Sequence, residues 1–506
     1  MTLLALGHAG TIAVAAFTTR DIVAVLRHGA SEPPMGALTL LAGTGFVIFG
    51  LRSLEAVVAE ATGQGYAAAI RRKLFLHMSR TPVIIVAQRR KGSMALRYVG
   101  DLNALKGWVS KGLARLISAV ITIPAAFAVL FLLHPRLAYG AAAPILVVLL
   151  AILLLGVPLK RTHSALRRRK ARMAADMTER LPQALALRRS GRLKTELRGL
   201  AKRSRRITEA AVLRSWLGET VRALPEVAAA TAAAICLGLS IRLSLDIEDA
   251  VAALTALTLI VWPLRRLADV RDRFTGYRVA AKKLADTLAG QTLPVKNKRD
   301  PVENVPVLKV RNIQLPQWSE PLDFDMGRGE IWHLMGPPRC GKSHFLTVAA
   351  GLEKVASGTL EVCGLPSAAA RTGQILYLGR FAPRLTGSLR RECTIGLGYK
   401  PDDSATLGAI EQAGLTPLCE RLGGLSGLVA EDRQNLTSSE ATAIYLVRGL
   451  LARPRLALVD ADEIGFGNRE LTILFRHLNK VQASCLVSTS VSEPTSAMAK
   501  ELFLPA

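Results

Sequence analysis

The sequence predicts a multi-domain chain: an all-α bundle of six membrane-spanning helices, then an α/β domain built around a phosphate-binding loop. Three observations carry that prediction. The first half holds six apolar stretches, each close to the length a bilayer requires. The loops between those stretches sort themselves by charge. In the second half, the string GPPRCGKS stands between a strand-like run and a helical one. Length agrees, since 506 residues exceed what one compact core organises.

The six stretches lie at 3–25, 35–58, 115–134, 139–159, 224–243 and 248–264. Crossing about 30 Å of hydrocarbon takes about 20 mostly apolar residues. The last four meet this requirement well, whereas the first is interrupted by Arg20 and Asp21. Residues 142–155 read AAPILVVLLAILLL and have no polar face to turn toward water, so a buried soluble helix is a poor reading. Residues 3–17 have the texture of a signal-peptide core but lack a positive flank, and they are read as the first membrane helix.

Charge orients the bundle. The segment 59–114 carries Arg71, Arg72, Lys73, Arg89, Arg90 and Lys91 among others, and 160–223 contains RTHSALRRRKAR, LALRRSGRLK and AKRSRR. The connectors 135–138 and 244–247 are short and nearly neutral. Lys and Arg stay on the cytosolic side of a bilayer, so both long loops and everything after the sixth helix are expected in the cytosol. Sidedness also accounts for the formal net charge of +27. The basic runs show no aromatic interleaving, and no nucleic-acid partner is expected. Six scattered cysteines form no CxxC pair and have no His cluster beside them, which argues against zinc or disulfide frameworks and suits a reducing compartment.

The polar, proline-rich segment QTLPVKNKRDPVENVP (291–306) reads as a linker, giving a membrane domain over 1–290 and a second domain over 307–506. Beyond it, short β-like runs (VLKVRNI, EIWHLMG, QILYLG, LALVDA, SCLVST) alternate with helical ones, the pattern of a parallel-sheet α/β domain.

Within that domain Gly336, Pro337, Pro338, Arg339, Cys340, Gly341, Lys342 and Ser343 fit GxxxxGK[ST], and His344 begins a helical pattern. Backbone N–H groups of such a loop point at phosphates, Lys342 adds a point charge, and Ser343 offers a hydroxyl to Mg²⁺. Downstream, the apolar run Leu-Ala-Leu-Val ends on Asp460, which places a carboxylate where it can hold the metal. Trp318, upstream of the loop, is the candidate for stacking on a base; a buried Trp in a small antiparallel sheet is the alternative reading.

These strings resemble the ATP-binding cassette (ABC) family. GPPRCGKS matches its Walker A motif, LALVDADE resembles Walker B, and RQNLTSSE lies where the family writes its LSGGQ signature. PRLTGSLRRECTIGLG resembles the segment after the family's Q-loop, and RYVGDLNALKGWVSKGL and MTERLPQALALRRSGRLKTEL resemble the cytosolic loops of exporter-type membrane domains, whose tips carry coupling helices. The resemblance implies an exporter-type half-transporter in a bacterial inner membrane, with ATP and Mg²⁺ as cofactors. Thr437 and Ser438 then belong to the signature, Thr437 keeping a hydroxyl where the family's Ser contacts the γ-phosphate.

The departures are equally specific. Ala461 stands where the family has its catalytic Glu, Ser490 where it has the switch His, Arg380 where it has the Q-loop Gln, and Ser439 at a signature glycine. A methyl group cannot orient or deprotonate water. The resemblance therefore implies a chain that holds nucleotide and cleaves it poorly, paired with a second half-transporter whose catalytic motifs are intact, or with a copy of itself. Two other readings stay open: a non-pumping membrane protein using ATP as a structural or regulatory ligand, and a self-sufficient ATPase with Asp462 or Glu463 as base. The transported substrate is not legible.

Overall fold

The computed structural model describes residues 1–28, 33–88, 97–294, 298–489 and 500–505. It divides into two compact units, Met1–His77 with Arg89–Gly290, and Met78–Gln88 with Gln291–Ala506. Six helices in the first unit are long and apolar enough to cross a membrane.

In the first unit these are α1 (Thr2–Arg27), α2 (Met35–Met78), a helical run that ends as α5 (Ala114–Leu133), α6 (Pro135–Arg180), α8 (Leu193–Arg242) and α9 (Ile247–Leu288); α3 (Val83–Ala87), α4 (Leu102–Gly107) and α7 (Ala184–Arg189) are short. Each expected span is present, but α2, α6, α8 and α9 run far past the apolar window. Hydropathy marks where a helix leaves the bilayer, whereas its hydrogen-bond ladder continues on Ala, Arg, Lys and Glu, all good helix formers. The bundle core is built on small residues, with Ala16, Ala126, Ala141, Ala228, Ala232, Ala252, Ala253 and Ala256 buried beside Leu130, Leu137, Leu257 and Ile260. Small side chains let helices approach closely where lipid supplies no hydrophobic drive. Phe46, Phe49, Leu146 and Leu154 remain exposed, as lipid-facing residues should.

The bundle also buries charge. Glu55 on α2 is 4% exposed and accepts two hydrogen bonds from Arg266 Nη1 of α9, at 2.9 and 3.2 Å. His8 of α1 lies 3.6 Å from the same carboxylate. The guanidinium groups of Arg52 and Arg266 lie 4.0 and 3.6 Å from the Trp262 ring centroid. Glu55 thus ties three helices together. Glu55→Gln is expected to lower bundle stability by about 1–3 kcal/mol, the cost of weakening a buried charge-assisted bond. Thermal unfolding in detergent checks this, and an unchanged midpoint contradicts it.

The second unit holds a four-stranded antiparallel sheet, ordered β2 (Leu322–Met326), β1 (Leu308–Ile313), β4 (Thr359–Val362), β5 (Leu365–Pro366). Beside it is a five-stranded sheet, ordered β11 (Lys500–Phe503), β3 (Ile331–Met335), β10 (Ser484–Ser488), β9 (Leu456–Asp460), β6 (Ile375–Leu378). Every pairing in the second sheet is parallel. Four of its strands are the runs read from sequence; β11 is an addition, a short exposed edge. Both faces are covered. Leu456 and Leu458 of β9 join one apolar cluster with Phe345 and Leu346, while Ala457 and Val459 join another with Ile444 and Leu474. That period of two on a doubly buried strand explains why LALV reads as continuously apolar.

Two further segments are stitched to this unit. The N–H groups of Arg299 and Val302, within the segment read as a linker, donate to the carbonyls of Ala369 and Cys363 at 3.1 Å each. The Val83 N–H at the start of α3 donates to the Leu352 carbonyl at 3.1 Å.

Candidate functional site

Parallel strands deliver their following loops to one edge of the sheet, and ligands bind at that carboxyl edge. Here it collects the phosphate loop after β3, Arg380 after β6, Asp460 at the end of β9 and Thr489 after β10. Ser490 lies outside the described residues.

The loop leaves β3 at Met335 and enters α10 (Lys342–Ala349) through left-handed turns, with Arg339 at φ 68° and Gly341 at φ 100°. Gly341 is needed for its φ, which disfavours any L side chain; a Cβ there would also displace the flexible Gln317 side chain, whose Nε2 would lie 2.1 Å away. Lys342 curls over the loop, Nζ donating to the Gly336 and Pro337 carbonyls at 2.7 and 3.4 Å. His344 is partly buried, its Nδ1 3.5 Å from Gln317 Nε2, and burial lowers its pKa. Pro337, Pro338 and Arg339 are exposed, while Cys340 is buried. Gly341→Ala is expected to weaken Mg-nucleotide binding roughly tenfold, since a left-handed backbone costs an L residue about 1–2 kcal/mol. A nucleotide titration checks this, and unchanged affinity contradicts it.

Trp318 takes the buried role. It is 4% exposed, its Nε1 donates to the Cys340 carbonyl at 2.6 Å, and its ring centroid is 5.7 Å from that of Phe345. It braces the loop from behind and presents no free face to a base.

Asp460 and Ser343 are brought together. Burial pushes the Asp460 carboxyl above the usual range, and the neighbouring Ser343 hydroxyl opposes that push. Asp460 is 2% exposed and its Oδ2 has no hydrogen-bond partner among the described residues. A buried carboxylate oxygen without a donor, beside a hydroxyl, is a hard-oxygen pair that fits Mg²⁺. Ser488 stands beside Asp460 in register on β10.

Tyr377 on β6 is a site residue that the sequence reading missed. Its hydroxyl hydrogen-bonds Thr347, whose Oγ1 donates to the Ser343 carbonyl at 2.6 Å, and burial pushes the phenol's pKa up. The pair anchors the phosphate-loop helix to the strand that precedes Arg380. A single Tyr in an apolar strand gives no signal of this. Arg380 itself is exposed.

Ala461 is fully buried and opens a single helical turn, α15 (Ala461–Ile464), with Asp462 and Glu463 exposed on it. Thr437 caps α14 (Ser438–Leu451) in a reciprocal box: its Oγ1 accepts from the Glu440 N–H at 3.2 Å, and Glu440 Oε2 accepts from the Thr437 N–H at 2.8 Å. That backbone bond, reinforced by Arg421 at 2.9 Å, holds the Glu440 carboxyl below its usual range. Thr437, Ser438 and Ser439 are exposed. Thr437 and Ser438 line a cleft of about 400 Å³ with Arg384, Arg433, Tyr445 and Glu463. No phosphate-loop residue lines that cleft.

Behind it lies a buried charge cluster that sequence reading also missed. Glu392, 1% exposed, accepts from Arg433 Nε and Nη2 at 3.1 and 2.7 Å and from Arg448 Nη2 at 3.1 Å. Arg433 sits at φ 59°, reaches the Ala441 carbonyl at 3.0 Å, and lies 4.7 Å over the Tyr445 ring. These partners are 41 and 56 residues apart along the chain, beyond the reach of any local pattern.

Residues 1–264 match the family described as ABC transporter transmembrane region. The mycobactin import ATP-binding/permease protein IrtB of Mycolicibacterium thermoresistibile is 26% identical over 238 residues, 45% of this chain and 41% of that protein. The zinc import ATP-binding protein ZnuC of Saccharophagus degradans is 25% identical over 189 residues, 36% of this chain and 68% of that protein. The chain thus spans about two fifths of the length of the first relative and about two thirds of the second. A bacterial Atm1-family ABC exporter with ATP bound shares the fold, with a TM-score of 0.80 over 99% of this chain and 92% of that one, at 15% identity.

Proposed function

The chain belongs to the ABC transporter family as an integral membrane half-transporter of exporter type, and on that premise we propose that it is the nucleotide-holding, catalytically reduced half of a two-chain exporter. One observation carries the reading. The groups proposed to grip nucleotide are assembled, with Lys342 folded into the loop and Ser343 beside the buried Asp460 Oδ2, which has no hydrogen-bond partner among the described residues, whereas the position after Asp460 is a buried methyl group, Ala461.

In this proposal loop amides and Lys342 hold the β and γ phosphates, and Ser343 and Asp460 hold Mg²⁺, which neutralises phosphate charge when bound. No side chain at Ala461 can take a proton from water, and general base catalysis alone is worth about 10²–10⁴-fold. By their places in the sequence, Arg380 and Ser490 replace the Gln and His with which the family senses water and γ-phosphate. ATP then serves chiefly as a ligand that biases a two-state closure. The signature turn opens on a cleft without phosphate-loop residues, so it is assigned to a nucleotide held by a second chain. The proposed organisation is a membrane domain over 1–290 and a nucleotide domain over 307–506, with ATP and Mg²⁺ as cofactors and an inner-membrane address. The partner is a half-transporter that supplies an intact catalytic Glu for the second site.

Purification of a tagged full-length chain from native membranes tests the pairing. Recovery with a second, catalytically intact half-transporter is expected. Recovery of a homodimer alone, with ATPase activity abolished by Lys342→Ala, overturns the proposal.

A further inference from the structure

The cleft at the signature helix holds a cation without a partner acid. Arg384 lines that cleft together with Thr437, Ser438 and Glu463. Its side chain is exposed, and its Nε donates to the Tyr445 hydroxyl at 2.8 Å. Its Nη groups make no hydrogen bond or ion pair among the described residues, and Glu463, an acid in the same lining, does not pair with it. Arg433, which also lines the cleft, differs. It spends Nε and Nη2 on Glu392 and Nη1 on the Ala441 carbonyl.

The signature helix has little left to offer an anion. A helix N-terminus binds phosphate through N–H groups that have no intrahelical partner. At the start of α14 the Thr437 and Glu440 N–H groups are both taken by the capping box. The same box sets the Glu440 carboxylate against the helix N-terminus, so that end already carries an anion of its own. The Thr437 hydroxyl is engaged as well, by the Glu440 N–H at 3.2 Å and the Ser439 Oγ at 3.1 Å. Ser439 puts a Cβ where the family has glycine, which keeps a phosphate further from the main chain. A nucleotide facing this turn meets few unspent donors on the helix. Arg384 is the cleft residue that still has them, on a planar fork suited to phosphate oxygens.

We propose that Arg384 is a catalytic contact given in trans: its guanidinium reaches the γ-phosphate of the nucleotide held by the second chain and supplies the charge stabilisation that the signature turn no longer provides. This rests on the two-chain reading above and adds a residue to it. In that site water attacks the γ-phosphorus, the bond to the β,γ-bridging oxygen breaks with its electron pair leaving on ADP, and the water's proton passes to the partner's catalytic Glu. Arg384 forms no covalent bond. It neutralises charge spread over the γ-phosphoryl oxygens, as a group positioned before the reaction does best. The Tyr445 hydroxyl holds Nε and leaves both Nη groups for the phosphate.

The test measures ATP hydrolysis by the full-length chain co-purified with its partner and placed in nanodiscs. Arg384→Ala is expected to lower kcat about 100-fold with KM changed less than about threefold, because losing one preorganised donor to a developing charge costs about 10²–10³-fold. Added guanidinium ion should raise the variant's kcat about tenfold, and sodium chloride at equal concentration should not. Parent-like kcat in Arg384→Ala, or a loss that guanidinium does not rescue, overturns the contact while leaving the two-chain reading intact. Loss of the partner from the variant also overturns it, since Arg384 is then an interface residue. Recovery of no second chain, or of a parent complex without ATPase activity, overturns both.

Discussion

Lys342→Ala is expected to lower the affinity of the purified chain for Mg-nucleotide at least about 100-fold. The ammonium already sits inside the loop, 2.7 Å from the Gly336 carbonyl. It is therefore pre-positioned for an anion and needs only to exchange carbonyl acceptors for phosphate oxygens. Charge-assisted hydrogen bonds contribute about 1.5–3 kcal/mol each, and a phosphate cluster accepts more than one from a lysine. Lys342→Arg should not rescue binding, because a planar fork cannot replace a compact point charge in a closed nest. The alanine removes the ammonium's bonds to the Gly336 and Pro337 carbonyls but leaves the loop's other supports in place, namely Gly341, the Trp318 bond to the Cys340 carbonyl and the Tyr377–Thr347 tie. Equilibrium titration with a fluorescent nucleotide reads the effect. Binding retained within a factor of three contradicts it.

Glu392→Ala is expected to destabilise the nucleotide domain by about 3–5 kcal/mol, enough to unfold it in many contexts. Glu392 is the carboxylate that two buried guanidiniums share, Arg433 and Arg448 being 6% and 2% exposed. Burial already lowers the pKa of Arg448, with Glu392 the main group opposing it. Removing the acid leaves two like charges facing each other in a dry interior. The same cluster anchors the segment that follows Arg380 to the signature helix: Leu385 N–H donates to Glu392 Oε1 at 2.7 Å, and Arg384 Nε to the Tyr445 hydroxyl at 2.8 Å. Replacing all three charged residues together, with Met at 392 and 433 and Leu at 448, should restore much of the stability, because well-packed apolar groups substitute for buried ion pairs. A urea series on the full chain in detergent distinguishes these outcomes, and a single Glu392→Ala variant as stable as the parent contradicts the assignment.

Which of these features could be read from sequence follows from how far apart their parts lie. The phosphate loop is eight contiguous residues between a strand and a helix, so its chemistry and its place in the fold are local. Asp460 was legible because a doubly buried strand writes an unbroken apolar run before it. The six spans were legible because lipid imposes a composition, yet their cytosolic continuations carry no hydropathy signature and were read as loops. Residues 97–113, read as loop, are helical with two π-type stretches. Trp318 could not be placed from sequence, because stacking and bracing demand the same aromatic residue. Tyr377, Glu55 and the Glu392 cluster were hidden for a common reason: each acquires its meaning from partners on other elements, as with Glu55 and Arg266, 211 residues apart.

In the proposed function this chain grips ATP without cleaving it. Single-turnover incubation of the purified full-length chain in nanodiscs with γ-labelled Mg-ATP, followed over hours, addresses that directly. Stoichiometric retention of uncleaved ATP, dependent on Lys342 and Asp460, is expected. Release of labelled phosphate within seconds, at a rate lost in Lys342→Ala, would contradict it.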